Sequence, residues 1–315
     1  MSSAKPKLVV TGASGLLGRQ VVIEAKKRGT FDVIGLSFTR TRDGLRKLDL
    51  TDEQAVREFF AAEKPQAMIH CAAERRPNVA RDDPEGTRKL NVQVTGALAR
   101  EAKVYGTFFV YISTEYVFDG LNPPYNINDK PNPINLYGQT KLEGEQAALE
   151  ANPRAAVLRV PLLYGRFEYE SESAVSVLLD PARDTSKVTQ VDAVQTRFPT
   201  CIDDISRVLI DMVEINSRIL DDDKSSDSKG VQGIFHISST QSMTKYDMCV
   251  FFAQTLGIAD TSHIVAAKEP PSSSENSVQR PKNTQLSNDS LEQIGIKPSF
   301  VSFTQWWEEY LANNH

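Results

Sequence analysis

Short apolar runs alternate with longer amphipathic segments through the first half of the chain. The apolar runs predict buried strands at residues 7–11, 33–36, 67–70, 107–113 and 155–160. The segments between them predict helices at residues 16–27, 51–63, 83–105 and 137–151, the second opened by a capping box that starts at Thr51. This alternation predicts an α/β fold, in which a Rossmann-type doubly wound parallel sheet carries helices on both faces.

The regular alternation of predicted strands and helices ends after about residue 161. A strand at residues 233–237 and a helix at 245–256 are still predicted, but the polar segments 221–230 and 268–279 are expected to be mobile. We therefore expect a Rossmann domain at residues 1–165 and a smaller, irregular α/β lobe at 166–315. Residues near 200–237 are expected to return to the first domain.

Composition narrows the class of protein. The chain has 315 residues, 40% hydrophobic and 24% charged, with a net charge of −5 and no basic run, which argues against nucleic acid and membrane surfaces as partners. The isolated, odd-numbered Cys71, Cys201 and Cys249 fit a reducing compartment. We expect a cytoplasmic protein, with nuclear presence left open. The four histidines form no pair at ligand spacing, so no metal is predicted.

A glycine-rich turn joins the first predicted strand to the first helix. Its G-x-x-G-x-x-G pattern allows backbone N–H groups to approach phosphate oxygens and lets the helix pack closely on the strand. An ordinary strand-to-helix turn is the alternative interpretation. The candidate cofactor-binding residues of this turn are Gly12, Ser14, Gly15, Leu16, Leu17 and Gly18.

The end of the second strand favours NADP(H) over NAD. An NAD site usually has a carboxylate at the end of the second strand, about 20 residues after the glycines, but here the segment 36–42 has none before Asp43. Ser37, Arg40 and Arg42 suit a 2′-phosphate, because guanidinium groups form strong bidentate bonds with it. Solvated arginines on a loop are the alternative. Asp49, after a third strand, is a candidate for the adenine edge, with Leu50 packing beside it.

Tyr137 and Lys141 lie four residues apart on a predicted helix and so share a face. A neighbouring ammonium is expected to lower the pKa of the phenol, and Lys141 would also hold the nicotinamide ribose. Ser113 or Thr114, at the end of the preceding strand, could polarise a substrate carbonyl. Surface neighbours without a catalytic role are the alternative.

Residues 113–120 and 133–145 resemble dTDP-4-dehydrorhamnose reductase, within the extended short-chain dehydrogenase/reductase superfamily. Residues 70–77, with the sequence HCAAERRP, resemble more narrowly the regulatory beta subunits of methionine adenosyltransferase, as do second-lobe segments 195–200, 243–246 and 279–283. That resemblance implies an NADP-binding protein that docks on the catalytic subunit of methionine adenosyltransferase and tunes S-adenosylmethionine synthesis in one-carbon metabolism.

The resemblance also implies roles for individual residues. Thr114 would supply the hydroxyl, Tyr137 the acid and Lys141 the ribose-binding cation. The remaining cofactor-binding candidates are Asn91 on a helix near the site, Pro161 on the nicotinamide side, and Cys71, Ala72, Ala73 and Arg75 after the third buried strand. Arg75 and Arg76 could instead be a solvated charge pair, or part of a docking surface.

Two departures and one alternative function accompany this interpretation. Glu115 stands where the sugar reductases have Asp. The C-terminus is short and partly acidic, whereas vertebrate-like beta subunits continue into a basic, aromatic tail used for docking. The alternative to a non-catalytic regulatory subunit is an NADPH-dependent reductase of a 4-keto nucleotide sugar, with a nucleotide-sugar-like small molecule as its ligand. The chain has no G-x-x-x-x-G-K-[ST] loop, so it is not expected to make S-adenosylmethionine itself.

Overall fold

The computed structural model describes residues 5–40, 44–221, 230–269 and 278–314. The strands are β1 (Lys7–Thr11), β2 (Asp32–Ser37), β3 (Leu45–Lys47), β4 (Ala67–His70), β5 (Phe108–Thr114), β6 (Ala156–Val160), β7 (Leu163–Tyr164), β8 (Thr189–Asp192), β9 (Thr200–Cys201), β10 (Gly233–His236) and β11 (Ile264–Ala267). The helices are α1 (Leu16–Arg28), α2 (Glu53–Glu63), α3 (Pro77–Asp82), α4 (Pro84–Arg88), α5 (Thr95–Val104), α6 (Leu136–Ala151), α7 (Leu179–Arg183), α8 (Ile202–Asp221), α9 (Lys245–Thr255), α10 (Asp289–Glu292) and α11 (Phe303–Asn314).

Seven strands form one parallel sheet in the order β10-β6-β5-β4-β1-β2-β3. From β1 the chain adds β2 and β3 on one side, and then β4, β5, β6 and β10 on the other. The direction of strand addition therefore reverses between β1 and β4. In register, Thr11 of β1 lies beside Leu36 and His70, at the carboxyl ends of the strands. The crevice beyond such a reversal is where ligands of these sheets bind.

Both faces of the sheet are covered, as the predicted α/β doubly wound fold requires. Along β1, Leu8 and Val10 belong to a core that includes α1 and α8, whereas Val9 belongs to a core that includes α2 and α5. Successive residues of a strand point to opposite faces, so a strand buried on both sides is a nearly continuous apolar run.

The predicted helix at 83–105 forms with an internal irregularity. Residues 84–104 are helical throughout, but Lys89–Val94 is a π-helical segment between α4 and α5. The additional residue of a π turn changes which side chains face the neighbouring helix. The short helix α3 just before it was not predicted.

The predicted capping box at Thr51 is wrong by one residue. The Asp52 carboxylate accepts hydrogen bonds from the backbone N–H groups of Gln54 and Ala55, both at 3.0 Å, so Asp52 is the N-cap. Thr51 instead donates its hydroxyl to Asp49 at 2.8 Å. A carboxylate satisfies these backbone donors and also complements the helix dipole.

Residues after 161 build a second, smaller assembly and also return to the main sheet. Two parallel pairs, β7 with β9 and β8 with β11, accompany an aromatic core around Trp307. Strand β10 pairs with β6, and α8 contributes to the core beneath α1. The segments expected to be mobile lie largely outside the described residues, which omit 222–229 and 270–277. Within the described ranges, no helix has the length and apolar character needed to cross a bilayer.

A buried ion pair ties the central strands to α6 directly beneath the carboxyl edge. The carboxylate of Glu145 on α6 accepts from Arg159 of β6 at 2.7 and 2.9 Å and from the Ser113 hydroxyl of β5 at 2.5 Å. Both charged side chains are 2% exposed or less. Removing one partner of such a pair leaves a buried charge without compensation.

We expect Glu145→Gln to lower the free energy of unfolding by about 3 kcal/mol or more, because Arg159 would keep its buried charge. Urea unfolding followed by circular dichroism measures the change. The control is Arg57→Gln, which removes an exposed i,i+4 pair with Glu53 and should cost less than about 0.5 kcal/mol. Similar small losses in both variants would contradict the importance assigned to the buried pair.

Candidate functional site

A cavity of about 760 Å³ extends along the carboxyl edge of the sheet, from the glycine turn to α6 and on into the second lobe. Its walls include most of the residues singled out from the sequence: Gly12, Ser14, Gly15, Leu16, Leu17, Gly18, Ser37, Arg40, Asp49, Leu50, Cys71, Ala72, Ala73, Arg75, Thr114, Tyr137, Lys141 and Pro161. Asn91 is not among the lining residues, and Arg42 lies outside the described residues.

The glycine turn forms the floor of one end of the cavity. A Cβ on Gly12, which has a φ of +64°, would lie 2.8 Å from the backbone nitrogen of Ala72. A Cβ on Gly18 would lie 2.3 Å from the carbonyl oxygen of Gly12. Helix α1 starts here without a side-chain cap and without an acidic residue in its first turn. Its free N–H groups and positive dipole end therefore face the cavity and favour an anion.

The side chains at the end of β2 offer hydrogen-bond donors to the same cavity. Ser37 Oγ is buried and has no hydrogen-bond partner among the described residues, which is costly unless a ligand satisfies it. Arg40 donates from Nη1 to the Tyr169 hydroxyl at 2.8 Å and lies 3.7 Å from the Glu172 carboxylate. This end can therefore bind a phosphate through a hydroxyl and a guanidinium.

The structure contradicts the expected effect of Lys141 on Tyr137. The Lys141 ammonium donates to the Ile112 carbonyl at 2.6 Å and lies 4.1 Å from the centre of the Tyr111 ring. Burial lowers the pKa of Lys141 to about 7. Desolvation raises the pKa of Tyr137 above its ordinary value, outweighing a hydrogen bond with Thr114. The phenol is therefore protonated at neutral pH, because burial exceeds any stabilisation from a cation.

The two candidate hydroxyls differ in what they can do. Ser113 is engaged with Glu145 in the buried pair beneath the site. Thr114 lies beside Tyr137 and donates to Glu115 Oε2 at 3.0 Å. Thr114 is therefore the hydroxyl that can act with the phenol on a ligand in the cavity.

Asn91 holds the loop after β4 and does not face the cavity. Its side-chain Oδ1 accepts from the backbone N–H of Glu74 at 2.9 Å, and its Nδ2 donates to the Glu74 carbonyl at 3.0 Å and to Thr140 at 3.2 Å. The π-helical segment carries this fully buried side chain. Its amide therefore positions the loop that carries Arg75, and a cofactor contact of Asn91 stays a prediction.

The adjacent arginines have different environments. The Arg76 side chain is 60% exposed and forms an ion pair with Glu74 at 2.8 Å, so the solvated alternative fits Arg76. Arg75 lines the cavity, and its Nη2 lies 3.5 Å from the Ser171 carbonyl. Only Arg75 of the two is placed to contact a ligand there.

Sequence reasoning assigned no chemistry to three cations that the second lobe contributes. Arg197, Lys245 and Arg280 line the same cavity as Tyr137, with Arg197 over the Tyr116 ring at 5.7 Å, and none forms an ion pair with a carboxylate of the described residues. Arg197 donates instead to the Pro281 carbonyl at 2.8 Å, and burial together with the other two cations lowers the pKa of Lys245 to about 8. The only signal was their position in segments 195–200, 243–246 and 279–283.

Glu115 is a buried carboxyl among these groups. Burial raises its pKa to about 7, although Arg197 and the Thr114 hydrogen bond act in the opposite direction. Beside it, the ring centres of Tyr116 and Tyr137 lie 5.7 Å apart. Across the described ranges, no group of three or more His, Cys, Asp or Glu side chains is placed to hold a metal ion.

The family model of the RmlD substrate binding domain matches residues 6–313, and the chain belongs to this family. Within it, methionine adenosyltransferase 2 subunit beta of Danio rerio is 43% identical over 297 residues, covering 94% of this chain and 87% of that protein. The dTDP-4-dehydrorhamnose reductase of Mycolicibacterium smegmatis is 30% identical over 297 residues, covering 93% and 81%. These relatives confirm both resemblances inferred from the sequence.

A solved structure confirms the fold. The dTDP-4-dehydrorhamnose reductase of Bacillus anthracis, determined in complex with NADP, superposes with a TM-score of 0.79. The match covers 99% of this chain and 100% of the reductase at 23% identity.

We expect Glu115→Gln to change how stability depends on pH. Because the folded state raises the pKa of Glu115 to about 7 and the unfolded chain does not, the free energy of unfolding falls as pH rises from about 4.5 to 7. The variant should gain on the order of 2–3 kcal/mol relative to the parent between pH 5 and pH 8. Urea unfolding at both pH values measures it.

The matched control is Glu53→Gln, which changes an exposed carboxylate. Its stability should follow the parent at both pH values. Parallel curves for Glu115→Gln and the parent would contradict a protonated, buried Glu115.

Proposed function

We propose that this protein is an NADP-binding regulatory subunit of methionine adenosyltransferase, which modulates S-adenosylmethionine synthesis by a catalytic partner. The observation that carries the proposal is 43% identity, over 94% of the chain, to a protein named methionine adenosyltransferase 2 subunit beta. The cavity supports the coenzyme part of the proposal, because it is lined by most of the residues predicted to bind NADP.

The described residues fit NADP in size and chemistry. The glycine turn would hold the pyrophosphate, with residues 71–73 beneath it, and Ser37 and Arg40 would hold the 2′-phosphate. The unpartnered Ser37 hydroxyl supports this fit. Asp49 and Leu50 would border the adenine, Lys141 the nicotinamide ribose and Pro161 the nicotinamide. The role of Arg42 stays a prediction from sequence.

A working reductase is the second candidate function, and it would reduce a 4-keto nucleotide sugar. The cation cluster of Arg197, Lys245 and Arg280 favours it, since three cations in the cavity that Tyr137 lines would attract the diphosphate of such a ligand. Bound NADPH would supply the hydride. The protonated Tyr137 phenol would give its proton to the carbonyl oxygen, while Thr114 would orient that oxygen.

The partner and location follow the same proposal. The catalytic subunit of methionine adenosyltransferase is the proposed partner, and nucleic acid and membranes are not. The cytoplasm is the proposed location, with nuclear presence left open. Free thiols at Cys71, Cys201 and Cys249 support a reducing compartment.

Calorimetry with NADP and NAD tests the coenzyme site. We expect the parent to prefer NADP, and Arg40→Gln to weaken NADP binding about tenfold or more, because a charge-assisted bond to the 2′-phosphate is lost. NAD affinity should change less than about twofold, since NAD has a neutral hydroxyl instead of a phosphate at that position. Arg57→Gln serves as the control for a lost surface charge. Equal losses for both coenzymes would place Arg40 elsewhere.

A binding assay with a catalytic methionine adenosyltransferase, with and without NADP, separates the two functions. A regulatory subunit should co-purify with the enzyme and change its methionine kinetics. A reductase should instead oxidise NADPH in the presence of a dTDP-4-keto-6-deoxy sugar, and Tyr137→Phe should abolish that reaction. If the protein neither associates with the enzyme nor changes its methionine kinetics, the regulatory proposal is overturned.

A further inference from the structure

Residues 166–174 of the second lobe reach the coenzyme end of the cavity and meet three arginines of the first domain, one on α1 and two on loops. Arg19 binds the Glu172 carboxylate at 2.9 and 3.1 Å through its two terminal nitrogens. Arg40 donates to the Tyr169 hydroxyl, and Arg75 approaches the Ser171 carbonyl.

Glu172 is the centre of this contact. Its carboxylate is 2% exposed, lines the cavity and also accepts from the backbone N–H of Glu168 at 3.0 Å. Arg19, its bidentate partner, lies 3.4 Å from the carbonyl oxygen of Ser14 in the glycine turn. A buried negative charge therefore stands beside the positions offered to the coenzyme phosphates.

Arg40 has two competing uses. In this structure its guanidinium donates to Tyr169, lies over the Tyr169 ring at 5.6 Å and is 3.7 Å from Glu172. The same guanidinium is the proposed ligand of the 2′-phosphate. A phosphate dianion at Arg40 would lie close to the Glu172 carboxylate, and like charges repel strongly where water is partly excluded.

We infer that Glu172 and Tyr169 form a latch that competes with the coenzyme 2′-phosphate for Arg40, and so set the preference between NADP and NAD from the second lobe. This inference rests on the proposed NADP site. On binding NADP, Arg40 exchanges Tyr169 and Glu172 for the phosphate, while Arg19 keeps the Glu172 charge compensated. NAD leaves the latch in place, because it lacks the 2′-phosphate that would attract Arg40.

The latch segment also packs against the core of the second lobe. Phe167, within the same segment, packs against Trp307 and Tyr310 of α11, with ring centres 6.1 and 5.4 Å apart. The Ser173 hydroxyl donates to the Leu163 carbonyl at 2.9 Å. Release of Arg40 therefore removes a contact between this anchored segment and the end of β2.

Calorimetry on latch variants tests the inference. Glu172→Gln should raise NADP affinity about fivefold or more and change NAD affinity less than about twofold, because it removes a charge that repels the 2′-phosphate. Tyr169→Phe keeps the ring and removes only the hydroxyl, and it should raise NADP affinity by about twofold to threefold. In both variants the ratio of NADP to NAD affinity should rise.

The matched control is Glu170→Gln, which makes the same change of charge in the same segment. Glu170 pairs with Arg183 and does not line the cavity, so the ratio of affinities should stay at the parent value. A thermal melt of each variant checks that it is folded. Tyr169→Phe keeps the test decisive if Glu172→Gln unfolds, since it leaves every charge in place.

The outcomes separate this inference from the function it rests on. An unchanged or lower ratio of NADP to NAD affinity in the folded latch variants, with NADP still bound by the parent, overturns the latch and leaves the coenzyme site standing. No binding of NADP by the parent at millimolar concentration overturns both. An equal rise for Glu170→Gln would show that net charge alone is responsible, and it would also overturn the latch.

Discussion

The close approach of three backbone segments at the glycine turn is the constraint on which the site depends. The end of β1, the start of α1 and the loop after β4 meet where no Cβ fits at Gly12 or Gly18. A side chain at either position would push α1 away from the sheet and the loop away from the turn. The N–H groups of α1 would then no longer face the cavity beside residues 71–73.

Burial, rather than local pairing, sets the charges at the opposite end. It lowers the pKa of Lys141 and raises that of Glu115, so that both groups titrate near pH 7. An anionic ligand favours the protonated form of each, since every added proton reduces repulsion.

Local pattern predicted the sheet and the loops that line it, because buried parallel strands are apolar runs and a phosphate turn needs glycines. It could not predict the environments that distant segments create. Asn91, on a π-helical segment, binds the loop after β4, and Tyr137 keeps its proton because of burial. The cations Arg197, Lys245 and Arg280 come from separate segments that only the tertiary fold brings to Tyr137.

A carboxylate beside a phosphate site also bears on which function the chain performs. Arginines without a carboxylate partner would bind a coenzyme phosphate most tightly, yet Glu172 forms an ion pair with Arg19 and lies 3.7 Å from Arg40. Competition of this kind weakens binding, and the occupancy of a site changes most steeply when the ligand concentration is close to its dissociation constant. A moderate affinity that depends on the 2′-phosphate suits a subunit whose state follows the supply of NADP. Because the competing groups belong to the segment anchored on α11, the change in occupancy reaches the second lobe without any chemical step.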